Sequence, residues 1–139
     1  MIKCTNKQIQ GAVGAINVLL STKRLPAKAS YSVSKLADAC QAESQTFDKA
    51  RQKLFSDAGC TIKVTKISVV DEDGKPKEIE RSEWVHDDPA AFDAVKEQAM
   101  QLETMEVEIN ALLLDIDQFG SAELPGNAFT GLDWAVKKE

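Results

Sequence analysis

Two stretches of the chain carry an apolar residue at every seventh position, and this spacing restricts the possible folds more than any other feature. Apolar residues at this interval line one face of an α-helix. We therefore predict long helices over about residues 31–58 and 89–119, packed antiparallel against each other or against a second copy. The residues with this spacing are Val33, Cys40, Phe47 and Leu54 in the first stretch, and Val95, Leu102, Ile109 and Ile116 in the second.

Two shorter helices are predicted at the ends of the chain. The first covers about residues 6–22, with Thr5 or Asn6 as its N-cap, because a short oxygen-bearing side chain can accept a hydrogen bond from a free amide of the opening turn. The last covers about residues 130–138 and follows a turn at residues 124–127. Asp88 followed by Pro89 is typical of a helix start, and predicts where the helix 89–119 begins.

A hairpin is predicted between the two long helices, over about residues 61–85. Apolar and polar residues alternate there, and Asp73-Gly74 is typical of a tight turn. A change in the phase of the alternation predicts a bulge at Thr65-Lys66. Two strands alone are marginal in water, so we expect them to lie on the helices or to pair with a second subunit. The predicted fold is one mainly α (α+β) domain, residues 1–139: long antiparallel helices with an inserted β-hairpin and a short C-terminal helix.

The charges are sorted along the chain. Residues 1–70 carry eleven Lys/Arg and four Asp/Glu, whereas residues 71–123 carry four and sixteen, within a total net charge of −5. Opposite charges in two halves of a small chain indicate that the halves contact each other, within a fold or across a subunit interface, or that they contact different partners. Together with the apolar spacing, this predicts a homo-oligomer that forms through the long helices.

Several classes of function lack their usual signals. No apolar run is long enough to cross a bilayer and the N-terminus does not resemble a secretory signal, so we expect a cytosolic protein without membrane contact. The three cysteines include no C-x-x-C pair, and His86 is the single histidine. These features favour reduced, structural thiols, no metal, no cofactor and no enzymatic activity.

The cations and aromatic residues of the hairpin are the candidate ligand-binding residues. A nucleotide needs cations for its phosphates and an aromatic face for its base. The same residues are also compatible with ordinary strand surface or core. Duplex nucleic acid is an unlikely partner, because the isoelectric point is about 5.0 and no DNA-binding motif is present. The candidate residues are Lys63, Lys66, Arg81 and Trp84 of the hairpin, with Tyr31 and Arg51 of the second helix.

Several segments together resemble a group of small uncharacterised helical proteins of bacteriophages and prophages. The resemblance covers most of the chain outside the hairpin and implies viral origin and action in the cytoplasm of an infected bacterium. It supplies no catalytic residue. The segments that carry it are residues 5–9, 15–20, 25–28 with Tyr31, 47–54, 105–109, 112–113 and 132–134.

The predicted function follows from the resemblance and from the lack of catalytic motifs. We expect a non-enzymatic phage accessory protein that counters bacterial defence by binding, either capturing a nucleotide signal or masking a host protein. The alternative is a virion assembly chaperone or a head or tail adaptor. Mass spectrometry of purified virions separates the two, because an adaptor remains in the particle at stoichiometric copy number.

Overall fold

The computed structural model describes residues 1–120, 124, 126 and 128–138, so the predicted turn at 124–127 lies partly outside the described residues. These residues form three α-helices, four β-strands in two small sheets, and two short 3₁₀ turns. In chain order the elements are β1 (Ile2–Thr5), α1 (Asn6–Ser21), α2 (Ala27–Asp57), β2 (Thr61–Val70), β3 (Pro76–Val85), α3 (Pro89–Thr104), β4 (Glu106–Ile109) and the turns Ile116–Phe119 and Asp133–Ala135.

The prediction of long antiparallel helices is wrong, because the third helix ends at Thr104 rather than near residue 119. The next residues form β4, which pairs antiparallel with β1 and places Ile109 opposite Ile2. Both side chains are buried there. The alternation Glu106-Val107-Glu108-Ile109 fits a half-buried strand as well as a helix, and this long-range pairing decides between them.

The predicted C-terminal helix over 130–138 is also wrong. Only Asp133–Ala135 is helical, as one 3₁₀ turn. The chain beside this turn is extended instead: the Leu114 amide donates to the Ala135 carbonyl at 2.7 Å, and the Lys137 amide donates to the Leu114 carbonyl at 2.7 Å. Leu114 is fully buried, so the terminal segment is fixed by pairing with the core rather than by its own helix.

The start of α1 is as the sequence predicts. The Gln8 amide donates to the Thr5 hydroxyl oxygen at 3.2 Å, and the Thr5 amide donates to Gln8 Oε1 at 2.9 Å. This reciprocal pair satisfies two amides that a helix start leaves free. The N-cap at Thr5 is therefore confirmed.

The chain divides into two compact units. The first contains residues 1–49 and 101–139, and the second contains residues 50–100. The core of the first unit includes Ile9, Leu19, Leu36, Leu114 and Leu132. The core of the second is small: Phe55, Cys60, Val95 and Ala99, with Leu54, Ala58, Trp84 and Phe92 packed against it. The prediction of a single domain stays a prediction.

Candidate functional site

The hairpin of the second unit is regular along its whole length. Strands β2 and β3 pair continuously from Thr61 opposite Val85 to Val70 opposite Pro76, so the predicted bulge at Thr65-Lys66 is absent from this ladder. Asp71 fixes the turn, because its Oδ1 accepts from the amides of Asp73 and Lys75 at 3.0 and 2.8 Å. Within the described part of the chain, neither strand pairs with a third.

Alternation divides the hairpin side chains between two faces. Because the pairing has no bulge, every second residue of each strand shares a face with its cross-strand partners. We call one face the pocket face. On it lie Ile62, Val64, Lys66, Ser68 and Val70 of β2, and Pro76, Glu78, Glu80, Ser82 and Trp84 of β3. The remaining strand residues form the opposite face.

Most of the pocket face is open to solvent. Ile62, Val64 and Val70 expose 58%, 56% and 73% of their surface. An exposed single apolar residue is common, but neighbouring ones on one sheet face indicate a surface that contacts something else. We call Ile62, Val64 and Val70 the apolar strip; Ile62 and Val64 are neighbours on this face, and Lys66 and Ser68 lie between them and Val70.

The root cavity, about 330 Å³ in volume, lies at the base of the pocket face. The C-terminal end of α2, the base of the hairpin and the start of α3 all contribute to it. Its apolar lining consists of Phe55, Ile62, Trp84 and Phe92, and its polar lining of Arg51, Ser82, Glu83 and Lys96.

Aromatic stacking builds the wall of the root cavity. The rings of Phe55 and Trp84 are stacked, with centroids 5.3 Å apart and planes inclined by 12°. Phe92 meets Phe55 at 6.3 Å and 59°. Phe55 is only 2% exposed, so it is the central ring of this group. The cluster joins β3 to the end of α2 and to the start of α3.

Two cations lie over these rings. The Arg51 guanidinium carbon is 4.9 Å from the Phe55 centroid, and Lys96 Nζ is 4.7 Å from the Phe92 centroid. Lys96 also pairs with Asp93 at 3.4 Å. Sequence reasoning missed the contribution of Phe55, Phe92 and Lys96. The signal that could have found them is the spacing of four residues within Arg51-Phe55 and within Phe92-Lys96, which places each pair on one helix face.

The structure brings only some of the predicted ligand-binding residues together. Arg51 and Trp84 both line the root cavity. Lys66 shares the pocket face but faces Glu80, four positions along the ladder from the Ile62–Trp84 pair. Lys63 and Arg81 lie on the opposite face. Tyr31 belongs to the first unit, where it lines a cavity with Leu112 and Gln118.

His86 connects the hairpin to the helices through its ring nitrogens. Nδ1 accepts from the Asp88 amide at 2.8 Å, so the ring donates from Nε2 to the Ala58 carbonyl at 2.9 Å. Both nitrogens are thereby occupied by backbone, which suits a structural histidine. Within the described residues, no group of three or more His, Cys, Asp or Glu side chains could hold a metal ion.

Three comparisons with known proteins, against models of protein families, sequences of curated proteins and solved structures, find no match. None of the helices that the structure describes is long and apolar enough to span a bilayer.

Proposed function

We propose that the chain is a phage-encoded binding protein without catalytic activity, which counters bacterial defence in the cytoplasm of the infected cell by masking a host protein. The pocket face is the contact surface. The observation that carries this proposal is the exposure of Ile62, Val64 and Val70 along one face of a two-stranded ribbon. Covering each of them with a partner would contribute about 1 kcal/mol.

The residues that line the root cavity indicate which side chains of a partner could bind there. Its aromatic wall of Phe55, Trp84 and Phe92 suits an apolar or aromatic side chain, and such side chains dominate the binding energy of protein interfaces. Arg51 and Lys96 place positive charge at the same opening, and Glu83 and Asp93, the ion-pair partner of Lys96, offset part of it. The fitting partner therefore presents an aromatic or large aliphatic residue beside a carboxylate.

Affinity capture from bacterial lysate with matched variants tests this function. Val64→Glu places a charge on the pocket face, whereas Thr65→Glu places the same charge on the opposite face, one residue away and also exposed to solvent. We expect the wild type and Thr65→Glu to retain a common host protein that Val64→Glu loses. The purified host protein should then bind the three chains in the same order. Full retention by Val64→Glu contradicts the proposal.

Nucleotide capture is the second candidate function, and the meeting of Arg51 and Trp84 at the root cavity favours it. Lys96 supplies a second cation near the same opening. Calorimetry with cyclic dinucleotides and ADP-ribose derivatives is the test. If one of them binds, Arg51→Gln should weaken binding at least about tenfold, the usual scale for losing a charged hydrogen bond. Arg81→Gln, on the opposite face, is the matched control. Absence of heat for every compound rejects this candidate.

A further inference from the structure

The two open edges of the ribbon differ in how well they are protected against pairing with another strand. The β3 edge carries Pro76 and five charged residues: Lys77, Glu78, Glu80, Arg81 and Glu83. Proline and charged side chains are the usual features that prevent edge-to-edge pairing. The β2 edge carries only Lys63 and Lys66, with no proline and no carboxylate. Among the described residues no strand covers it.

The β2 edge is complementary to itself. Its last four residues, Ile67 to Val70, are uncharged. Its first six residues include the two lysines, and the acidic turn follows directly after Val70. Consider two copies of β2 placed antiparallel with Ser68 on the two-fold axis. From Lys66 to Val70, each residue then faces the one equally far on the other side of Ser68, so Ile67 faces Val69 of the second copy. The ladder ends at Val70, and the turn that contains Asp73 then lies next to Lys63 of the second copy.

We propose that this edge pairs with β2 of a second copy, antiparallel about Ser68, and that the dimer contains the four-stranded sheet β3-β2-β2-β3. From Lys66 to Val70, each residue of the pocket face is then opposite a residue of the pocket face of the other copy, because residues related about Ser68 differ by an even number of positions. The two pocket faces therefore lie on the same side of the joined sheet. The joined sheet presents twice the apolar strip of one ribbon. Assembly stops at two copies, because a two-fold interface is closed and both outer edges are the protected β3 edges.

The charges near the β2 edge favour pairing with β2 of a second copy over pairing with an unrelated strand. The Asp71 carboxylate accepts hydrogen bonds from the Asp73 and Lys75 amides within the turn. The acidic side chains at the tip that can contact a second copy are therefore those of Glu72 and Asp73. Antiparallel pairing places this tip next to Lys63 of the other copy, twice in each dimer. Lys66 faces Val70 of the other copy, two positions before Glu72, so both lysines lie near the tip. The interface is independent of any host partner, so it is measured on the purified chain alone.

Cysteine cross-linking tests the position of the axis. Ser68→Cys places a thiol on the two-fold axis, within disulfide distance of its own copy. Ser82→Cys places a thiol on the same face but on β3. Both serines are exposed, and the three native cysteines are buried. Under a mild oxidant we expect Ser68→Cys to form a covalent dimer and Ser82→Cys to remain a single chain. Equal cross-linking of the two variants overturns the proposal.

A charge exchange tests the register by sedimentation velocity. The double variant Lys63→Glu with Lys66→Glu places carboxylates on the β2 edge, next to the acidic tip of the other copy. The double variant Glu72→Lys with Asp73→Lys places lysines at the tip, next to Lys63 and Lys66 of the other copy. Each double variant should raise the dissociation constant of the dimer at least about tenfold. An equimolar mixture of the two should dimerise as the wild type does, because every contact is again between opposite charges. A monomeric wild type at micromolar concentration, or a mixture that stays monomeric while both variants remain folded by circular dichroism, overturns the proposal.

Discussion

Trp84 shows how one side chain can serve folding and binding together. Its ring is stacked on Phe55, whereas the sequence suggested a ring free to stack on a ligand. We predict that Trp84→Ala lowers the free energy of unfolding by about 1–3 kcal/mol, because it removes the stacked pair and leaves a gap beside Phe55. Glu80→Ala, exposed on the same face but on β3, should change it by less than about 0.5 kcal/mol. Urea unfolding measures both, and equal stability of the two variants would show that the indole is not packed.

We expect substitution by alanine to have opposite effects on the free energy of unfolding at two glycines of the first unit. Gly14 lies inside α1 with open space around its missing side chain, so Gly14→Ala should raise the free energy of unfolding by about 0.5–1 kcal/mol. Gly131 has φ +79°, and a Cβ there would come within 2.6 Å of the Gly11 carbonyl oxygen. Gly131→Ala should therefore destabilise the chain. Thermal unfolding compares them, and a stabilised Gly131→Ala would contradict the close approach of these two backbones.

The two buried thiols of the first unit predict a loss of stability in alkali. Burial raises the pKa of Cys4 to about 11, with a smaller contribution from Glu43, and raises the pKa of Cys40 to about 12, with a smaller contribution from Cys4. In the unfolded chain the thiols lose their protons near pH 9.0, at a lower pH than in the folded chain. The stability that the neutral thiols provide is thus complete below pH 9.0 and decreases as the pH rises toward the folded-state values.

Urea unfolding at about pH 8 and about pH 10 measures this effect, since the two values lie on either side of the unfolded-state pKa. We expect the free energy of unfolding to be lower at the higher pH, and the decrease to be smaller in Cys40→Ala. A Cys40→Ala variant with the wild-type dependence on pH would show that other groups cause the decrease.

Among the elements, the hairpin could be predicted from the sequence and the end of α3 could not. The hairpin signals are local: alternation, a turn residue with positive φ at Gly74, and a proline at the start of β3. The end of α3 depends on contacts far along the chain. Asn6 Nδ2 donates to the Leu102 carbonyl at 3.0 Å, and β4 pairs with β1. No window of sequence around residue 105 contains either contact.

The candidate site shows the same limit. Arg51 and Trp84 could be selected from the sequence, because cations and aromatic rings are recognisable by type. Their convergence on Phe55 could not, since it requires the end of α2 to meet the base of the hairpin. Alternation within β3 places Arg81 on the face away from Trp84. The uniform register places Lys63 on that face too, whereas a bulge at Thr65-Lys66 would have moved Lys63 to the face of Trp84.

A pair of substitutions tests whether the chain leaves the helix at Thr104. In the predicted long helix, Ile109 and Ile116 share one apolar stripe and should matter equally. In the structure, Ile109 is buried in β4, whereas Ile116 is 56% exposed. We predict that Ile109→Ala lowers the free energy of unfolding by about 2–4 kcal/mol and that Ile116→Ala changes it by less than about 0.5 kcal/mol. Similar losses at both positions would restore the helical interpretation.

At the scale of the whole molecule, the sorted charges remain available for association. Within the described residues the only ion pair is between Lys96 and Asp93, so the basic first half and the acidic second half do not neutralise each other in close contacts. Charges of this kind act over several ångströms and select partners of complementary charge. The hairpin contains the boundary between the basic and acidic parts of the sequence, with lysines on the β2 edge and acidic residues at the tip.

We propose that the pocket face binds a host protein, and hydrogen–deuterium exchange with and without the purified host protein measures which residues make that contact. The free chain is the reference, so any protection that arises from pairing between two copies is already included in it. We predict that the host protein slows exchange at residues 61–70, at residues 82–84 and around Phe92, which surround the root cavity and the apolar strip. Slower exchange confined to residues 1–49, with the hairpin unchanged, would contradict the account.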